Sequence, residues 1–272
     1  MKIRAIVAMT LALGAVSGGV QAETLKVTDL DVESLWVQGS VEVQVSQGDA
    51  TELLIRGDQD DLEKHPFFTR KKTLVLGESE QHRGERFSSV QYMLTVPDLD
   101  EIRLSGSGDV FVKHFATDTM LVNVEGSGDI KLFSLTAERA TVRVTGSGDI
   151  KLAELSAPVV ELLVSGSGDV AIGKLTGDVI EATISGSGDI SAEKSAETAS
   201  SVEITIVGGG EVNFSSLATT AAEINIIGSG DARVGEVGNL DVNIIGSGDI
   251  YYAGDPEIDS NVLGSGDLNR QR

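Results

Sequence analysis

Eight aspartates occupy the same place in a repeated Gly-Ser-Gly-Asp quartet: Asp109, Asp129, Asp149, Asp169, Asp189, Asp231, Asp249 and Asp267. Carboxylates repeated at a fixed interval suit calcium, a hard cation that takes carboxylate and carbonyl oxygens. Calcium-binding β-rolls use a Gly- and Asp-rich repeat of this general kind. If consecutive quartets stacked about 4.8 Å apart, neighbouring carboxylates would repel by about 0.9 kcal/mol in water, and a bound cation would relieve that. The repeat is longer here, however, and brings one Asp per copy rather than a close pair of loops. A second reading needs no ligand. Gly supplies the positive φ and close backbone approach of a tight corner. Ser and Asp side chains bond nearby backbone amides. The corner is the principal reading of the eight aspartates, and calcium the alternative.

Little else in the chain suggests catalysis. His65, His82 and His114 are scattered, without metal-ligand spacing. The Ser of the quartet recurs in every copy but the GGGE one, whereas a nucleophile is needed once and beside a base. Glycoside hydrolysis needs two carboxyls in unlike environments at a set separation, but these acids repeat evenly. We therefore expect no catalytic residues, no resident cofactor and no enzyme, with a polysaccharide lyase or hydrolase as the rival class.

The elements that must place the aspartates follow from the spacing. Quartets begin at Gly106, Gly126, Gly146, Gly166, Gly186, Gly228, Gly246 and Gly264, and a degenerate GGGE begins at Gly208. Two and four residues before each quartet stand apolar pairs such as Val122 and Val124, Val142 and Val144, and Ile224 and Ile226. Four and six residues after its first Gly come pairs such as Ile130 and Leu132 or Ile150 and Leu152. This is a period of two, rich in β-branched residues, which predicts strands with one buried face. A unit of about twenty residues cannot bury such a face alone, so neighbours must stack, and it is too short for a propeller blade. The predicted fold is all-β: a single-stranded parallel β-helix of about twelve rungs with GSGD corners, right-handed because crossovers between parallel strands usually are. Thr24 to Asp100 should add three or four irregular rungs that cap the stack. Gly77 to Ser89, polar and without period, should form a mobile loop.

The N-terminus has another purpose. Lys2 and Arg4 precede an apolar run from Ala5 to Val16, and Val20-Gln21-Ala22 offers small residues for cleavage, the layout of a secretory signal peptide. Residues 1–22 are therefore expected to be removed on export. Residues 23–100 would form irregular β rungs and 101–272 the regular repeat, together one continuous domain. Cleavage leaves 19 basic against 42 acidic residues, a net charge of −23. That field argues against nucleic acid as a partner and favours cations, basic proteins or neutral glycans. No later stretch is long and apolar enough for a membrane span. The expected location is the periplasm, the outer surface or the medium.

Two outward patterns complete the reading. Glu161, Glu181, Glu203, Glu223, Asp241 and Asp259 form an acid column, which we read as a solvated face. Immediately before the quartet, early repeats carry Ser105, Glu125, Thr145, Ser165 and Ser185, but later ones carry Val207, Ile227, Ile245 and Leu263. These four should form an outward apolar stripe about 15 Å long at one rung per 4.8 Å. Such a patch marks a contact surface, for a partner or for a second copy in a homo-oligomer. The bland alternative rotates them into a local cluster with Tyr251 and Tyr252.

Tandem corners within TVRVTGSGDIKL and LVNVEGSGDIKL resemble the autotransporter-adhesin head domain called the GIN domain, found in secreted bacterial proteins. LWVQGSVEVQVSQGDATELLIRGDQDDLEKH from Leu35, KTLVLGE from Lys72 and LTVPDLDEIRLSGSGD from Leu94 are similar to that family's lead-in. The resemblance covers nearly all of the chain after residue 22. It implies a β-helix of the pectin-lyase-like kind, no established catalytic residues and a role in adhesion. The expected function is thus an exported, non-catalytic β-solenoid for surface contact or scaffolding, with a protein or glycan partner at the cell envelope. The alternative is a glycan-binding or glycan-active β-helix protein that depends on calcium.

Overall fold

A computed structural model describes residues 23–87, 89–195 and 197–271. The proposed signal peptide, residues 1–22, lies outside the described residues. The chain is an all-β parallel solenoid of about eight turns.

Each repeat crosses two sheets. The strand before a quartet belongs to the first sheet and the strand after it to the second, with the glycine corner between them. Thr119–Gly126, Arg139–Gly146 and Val159–Gly166 lie side by side in the first sheet, in parallel and one repeat apart. Asp129–Thr136, Ile150–Ser156 and Val170–Thr176 do the same in the second. Equivalent residues stack directly: Val122 on Val142, Val142 on Leu162, Leu162 on Ala182. Ile130 on Ile150 and Ile150 on Val170 follow suit across the core. Both columns point inward, and one apolar core runs from Val27 to Tyr252. Each fully buried Val, Leu or Ile contributes about 1.5–3 kcal/mol relative to exposure, which is why the period of two fixes the register so firmly. Repeat length is absorbed at the second bend. Where the spacing falls to 18 residues, between Gly228 and Gly246, one strand from Asp231 to Gly246 runs through from the second sheet to the first.

The corners explain the glycines. Gly146 has φ +126°, and a Cβ there would lie 2.3 Å from the Gly126 carbonyl oxygen. Two residues on, a Cβ at Gly148 would lie 2.1 Å from the Gly128 oxygen. The carbonyl of Gly126 in turn accepts from the amides of Ser147 and Gly148, at 2.8 and 3.1 Å. Successive corners thus hydrogen-bond backbone to backbone with no room for side chains between them.

The N-terminal third corrects two expectations. β1 (Glu23–Thr28), β2 (Ser34–Gly39), β3 (Glu42–Gln47) and β4 (Glu52–Gly57) are followed by α1 (Gln59–Glu63). Then come β5 (Phe67–Arg70), β6 (Thr73–Leu76) and β7 (Gln91–Val96), before β8 (Glu101–Gly106) and β9 (Asp109–Ala116) open the regular repeats. Only β2 and β3 form a further turn of the regular type, with their corner at Gly39, stacked on β8 and β9. β6 and β7 add parallel to β2 and β3, but β4 runs antiparallel to β7 and β1, and β5 antiparallel to β6. Three or four irregular rungs are therefore not present, and the total falls short of twelve. Alternation such as Leu53 and Ile55 marks a buried face without saying which way the strand runs. Antiparallel strands finish the stack, so that the parallel ladder of the repeats is not left open at this end.

The polar segment after Gly77 is a loop, but a tethered one. Phe87 is buried, Ser79 donates to the Lys64 carbonyl at 2.6 Å, and Lys64 pairs with Glu85 at 2.7 Å. Tyr92 reaches beneath it. The Tyr92 hydroxyl donates to the Pro66 carbonyl at 2.8 Å and accepts from the Gly77 amide at 3.2 Å. Burial pushes its phenol well above the ordinary value.

Candidate functional site

The aspartates do form a column, and the structure gives them work within the corner. The Asp149 amide donates to Asp129 Oδ1 at 3.1 Å, the Asp169 amide to Asp149 Oδ1 at 3.1 Å, and the Asp189 amide to Asp169 Oδ1 at 2.9 Å. Asp249 and Asp267 repeat the bond, to Asp231 and Asp249, at 2.9 Å each. Each of these charge-assisted bonds ties one corner to the next. Lysines add to this: Lys151 lies 3.1 Å from Asp149 and Lys131 lies 4.0 Å from Asp129. The hydrogen bond to Asp149, followed by that group's charge, raises the Lys151 pKa above the ordinary lysine value.

Three corners depart from the pattern, those of Asp109, Asp129 and Asp231. The Asp129 and Asp231 amides donate to the carbonyls of Gly108 and Gly210 instead. In the second case the turn below carries the Glu of GGGE, and Glu211 pairs with Arg233. There the Glu211 carboxylate turns to Arg233 and the Asp231 amide takes the Gly210 carbonyl. Among the described residues, no group of three or more His, Cys, Asp or Glu is placed to hold a metal ion. Asp109, at the start of the regular repeats, has its own amide on the Val41 carbonyl at 3.0 Å.

The acid column is also assembled as expected, with Glu161, Glu181 and Glu203 in register. Desolvation by its neighbours on the exposed column, then the charges of Glu203 and Glu161, raise the carboxyl of Glu181 above the usual range. Beside it Asn261 Nδ2 donates to Asn243 Oδ1 at 3.0 Å, and Asn225 Nδ2 to Glu223 Oε1 at 3.1 Å.

The apolar stripe is exposed. Val207, Ile227, Ile245 and Leu263 stack in register on the outer face of the first sheet, and are 44, 49, 42 and 67% exposed. The corner does not rotate them inward. Tyr252 turns to the core instead, and Tyr251 lies in the second sheet under the Arg233 guanidinium, 4.8 Å from the ring centroid.

A trough on the second sheet was not anticipated. In-register pairing there skips Lys113, Phe133, Ala153 and Gly173. The buried residues Leu132 and Leu135 stand three apart, so two consecutive residues between them face outward and the strand bends. Over the bend lies a hollow of about 610 Å³, lined by Gln44, Phe111, Lys113, His114, Lys131 and Phe133 among others. It adjoins a second hollow of about 360 Å³ over Lys151, Ala153, Ala171 and Gly173. His114 and His65 sit on the surface near aromatic rings, and His82 stands beside Ser79. The structure does not bring the three histidines into one cluster.

The fold is a parallel β-solenoid whose outer faces are long and regular. The chain matches the family described as "Putative auto-transporter adhesin, head GIN domain" over residues 31–202 and 154–256, and it belongs to that family. Solved structures share the fold. A "putative adhesin" from Parabacteroides merdae is 22% identical, with a TM-score of 0.69 over 94% of this chain and 99% of that one. A second "putative adhesin", from Parabacteroides distasonis, is 20% identical with a TM-score of 0.66 over 92 and 97%. A "putative lipid binding protein" from the same organism is 24% identical with a TM-score of 0.67 over 94 and 98%. None of the curated proteins matches. Among the described residues, no helix is long and apolar enough to cross a membrane.

Proposed function

We propose that this chain is an exported, non-catalytic, adhesin-like rod that engages a partner at the cell envelope or surface through the stripe Val207–Ile227–Ile245–Leu263. The observation that carries the reading is the change along one column. Positions that hold Ser165 and Ser185 in earlier turns hold large aliphatic side chains in the last four, and these remain in water. Leaving four such groups exposed and adjacent forfeits burial energy of about 1.5–3 kcal/mol for each group fully covered, so a surface that covers them gains it. The acid column on the same sheet keeps the rod soluble and discourages pairing of sheets face to face. The family's adhesion role and the signal-peptide layout of residues 1–22 support export and surface contact.

The test is adhesion of beads coated with the protein to cells of the producing strain, together with sedimentation of the free protein. Ile227→Ser with Ile245→Ser should reduce attachment, or self-association if the partner is a second copy. Unchanged behaviour in both assays would leave the stripe without a contact role.

A further inference from the structure

Phe111 and Phe133 stand in successive turns of the second sheet, 36 and 59% exposed, in a chain with only 4% aromatic residues. Phe133 packs on one side: His114 meets its edge with ring centroids 4.6 Å apart and planes at 69°, and the His114 Nδ1 lies 3.1 Å from Ser134 Oγ. Lys131 Nζ stands 5.3 Å from the Phe111 ring centroid. The trough between these groups continues along the axis onto a floor of Ala153, Ala171 and Gly173, where small side chains leave room.

We propose that this trough binds a neutral, extended glycan, with sugar rings packed on Phe133 and Phe111 and the chain running along the solenoid axis. Pyranose rings present polarised C–H groups on their flat faces, which the negative face of an aromatic ring attracts. Their hydroxyls both donate and accept, and the rim offers both: Glu42 and Gln44 on one side, Lys113 and Lys131 on the other. A ring already packed on one side loses less side-chain freedom on contact than a free one.

Other occupants fit less well. Lys131 and Lys151 at the rim are already matched by corner aspartates, Lys131 with Asp129 at 4.0 Å and Lys151 with Asp149 at 3.1 Å, so the trough offers a polyanion little uncompensated positive charge. A peptide adding as a strand would need a free sheet edge, and the strand Asp129–Thr136 is already paired on both sides. An acyl chain gains most from enclosure, whereas this hollow is an open shelf with charged residues at its rim. The trough is on the opposite sheet from the apolar stripe, and the inference stands apart from the role proposed for that stripe.

Isothermal titration calorimetry tests it with β-linked hexasaccharides of glucose, mannose and xylose, a galacturonate hexasaccharide, and palmitate. At least one neutral hexasaccharide should bind. Phe133→Ala should weaken it about tenfold, equivalent to about 1.4 kcal/mol. Phe133 is exposed enough for the variant to fold. Galacturonate should bind at least about tenfold more weakly than the neutral sugar, and Ile227→Ser should change nothing. Failure of all three neutral sugars to bind would overturn the proposal. So would affinity untouched by both Phe111→Ala and Phe133→Ala, or tighter binding of galacturonate or palmitate.

Discussion

The amide of Asp169 donates to the side-chain carboxylate of Asp149, one turn earlier, at 3.1 Å. That bond makes the aspartate a fastener between turns. Asp149→Ala removes the acceptor and leaves the Asp169 amide to solvent, at a cost of about 1 kcal/mol on the usual scale for a lost hydrogen bond. Asp149→Asn keeps an acceptor oxygen in place and should cost less. Urea unfolding of the two variants separates them. If the corner role is complete in itself, the melting temperature will also be the same with calcium and with a chelator; a rise with calcium would restore the metal reading of the column.

The corner glycines should differ sharply from one another. Gly148→Ala places a methyl 2.1 Å from a backbone oxygen that cannot move without unstacking its turn, and overpacking of that kind costs about 1–3 kcal/mol. Gly209→Ala is the matched control. Its Cβ would meet only Ser229 Oγ at 3.7 Å, and other copies carry Ser at this position. Thermal unfolding should show a large loss for the first and almost none for the second.

Glu181 sets a pH dependence. Its carboxyl pKa is raised, first by desolvation from neighbouring side chains and then by Glu203 and Glu161, so the folded chain takes up a proton there before the unfolded chain does as pH falls. The destabilising effect of its charge is fully present above the raised folded pKa and absent below the unfolded one. Glu181→Gln should therefore melt higher than the parent at neutral pH, and the difference should shrink to nothing in acid below the ordinary carboxylate pKa. An equal difference at both pH values would mean that the column's charge is not its cause.

Particular residues show what could be read in advance. Val122, Val142 and Leu162 announce their column because inward residues recur every second position and every twentieth residue. Gly146 and Gly148 announce a corner because the quartet recurs with them. The stripe was legible too, since Val207, Ile227, Ile245 and Leu263 break an otherwise polar position. The direction of β4 and β5 was not, because Leu53 and Ile55 alternate alike in either direction. The trough was hidden for a different reason. Phe111 and Phe133 sit at outward positions of different offset, and only the bend at Lys113, Phe133 and Ala153 gathers them. The spacing of three between Leu132 and Leu135 was the local sign of that bend. The bond from Asp169 to Asp149 depends on the separation of stacked turns, which no single repeat contains.

The account rests on residues of consecutive turns lying directly over one another, and the cysteine-free chain allows this to be probed with two added thiols. Ile227 and Ile245 are register partners on the exposed stripe, close enough across a parallel pair for a disulfide, which needs Cα atoms about 4.4–6.8 Å apart. Ile227→Cys with Ile245→Cys should oxidise to an intramolecular disulfide in the folded protein, whereas Ile227→Cys with Asn243→Cys, two residues out of register, should stay reduced under the same mild oxidant. Equal cross-linking of the two pairs, or none in the first, would contradict the stacked register and with it the stripe.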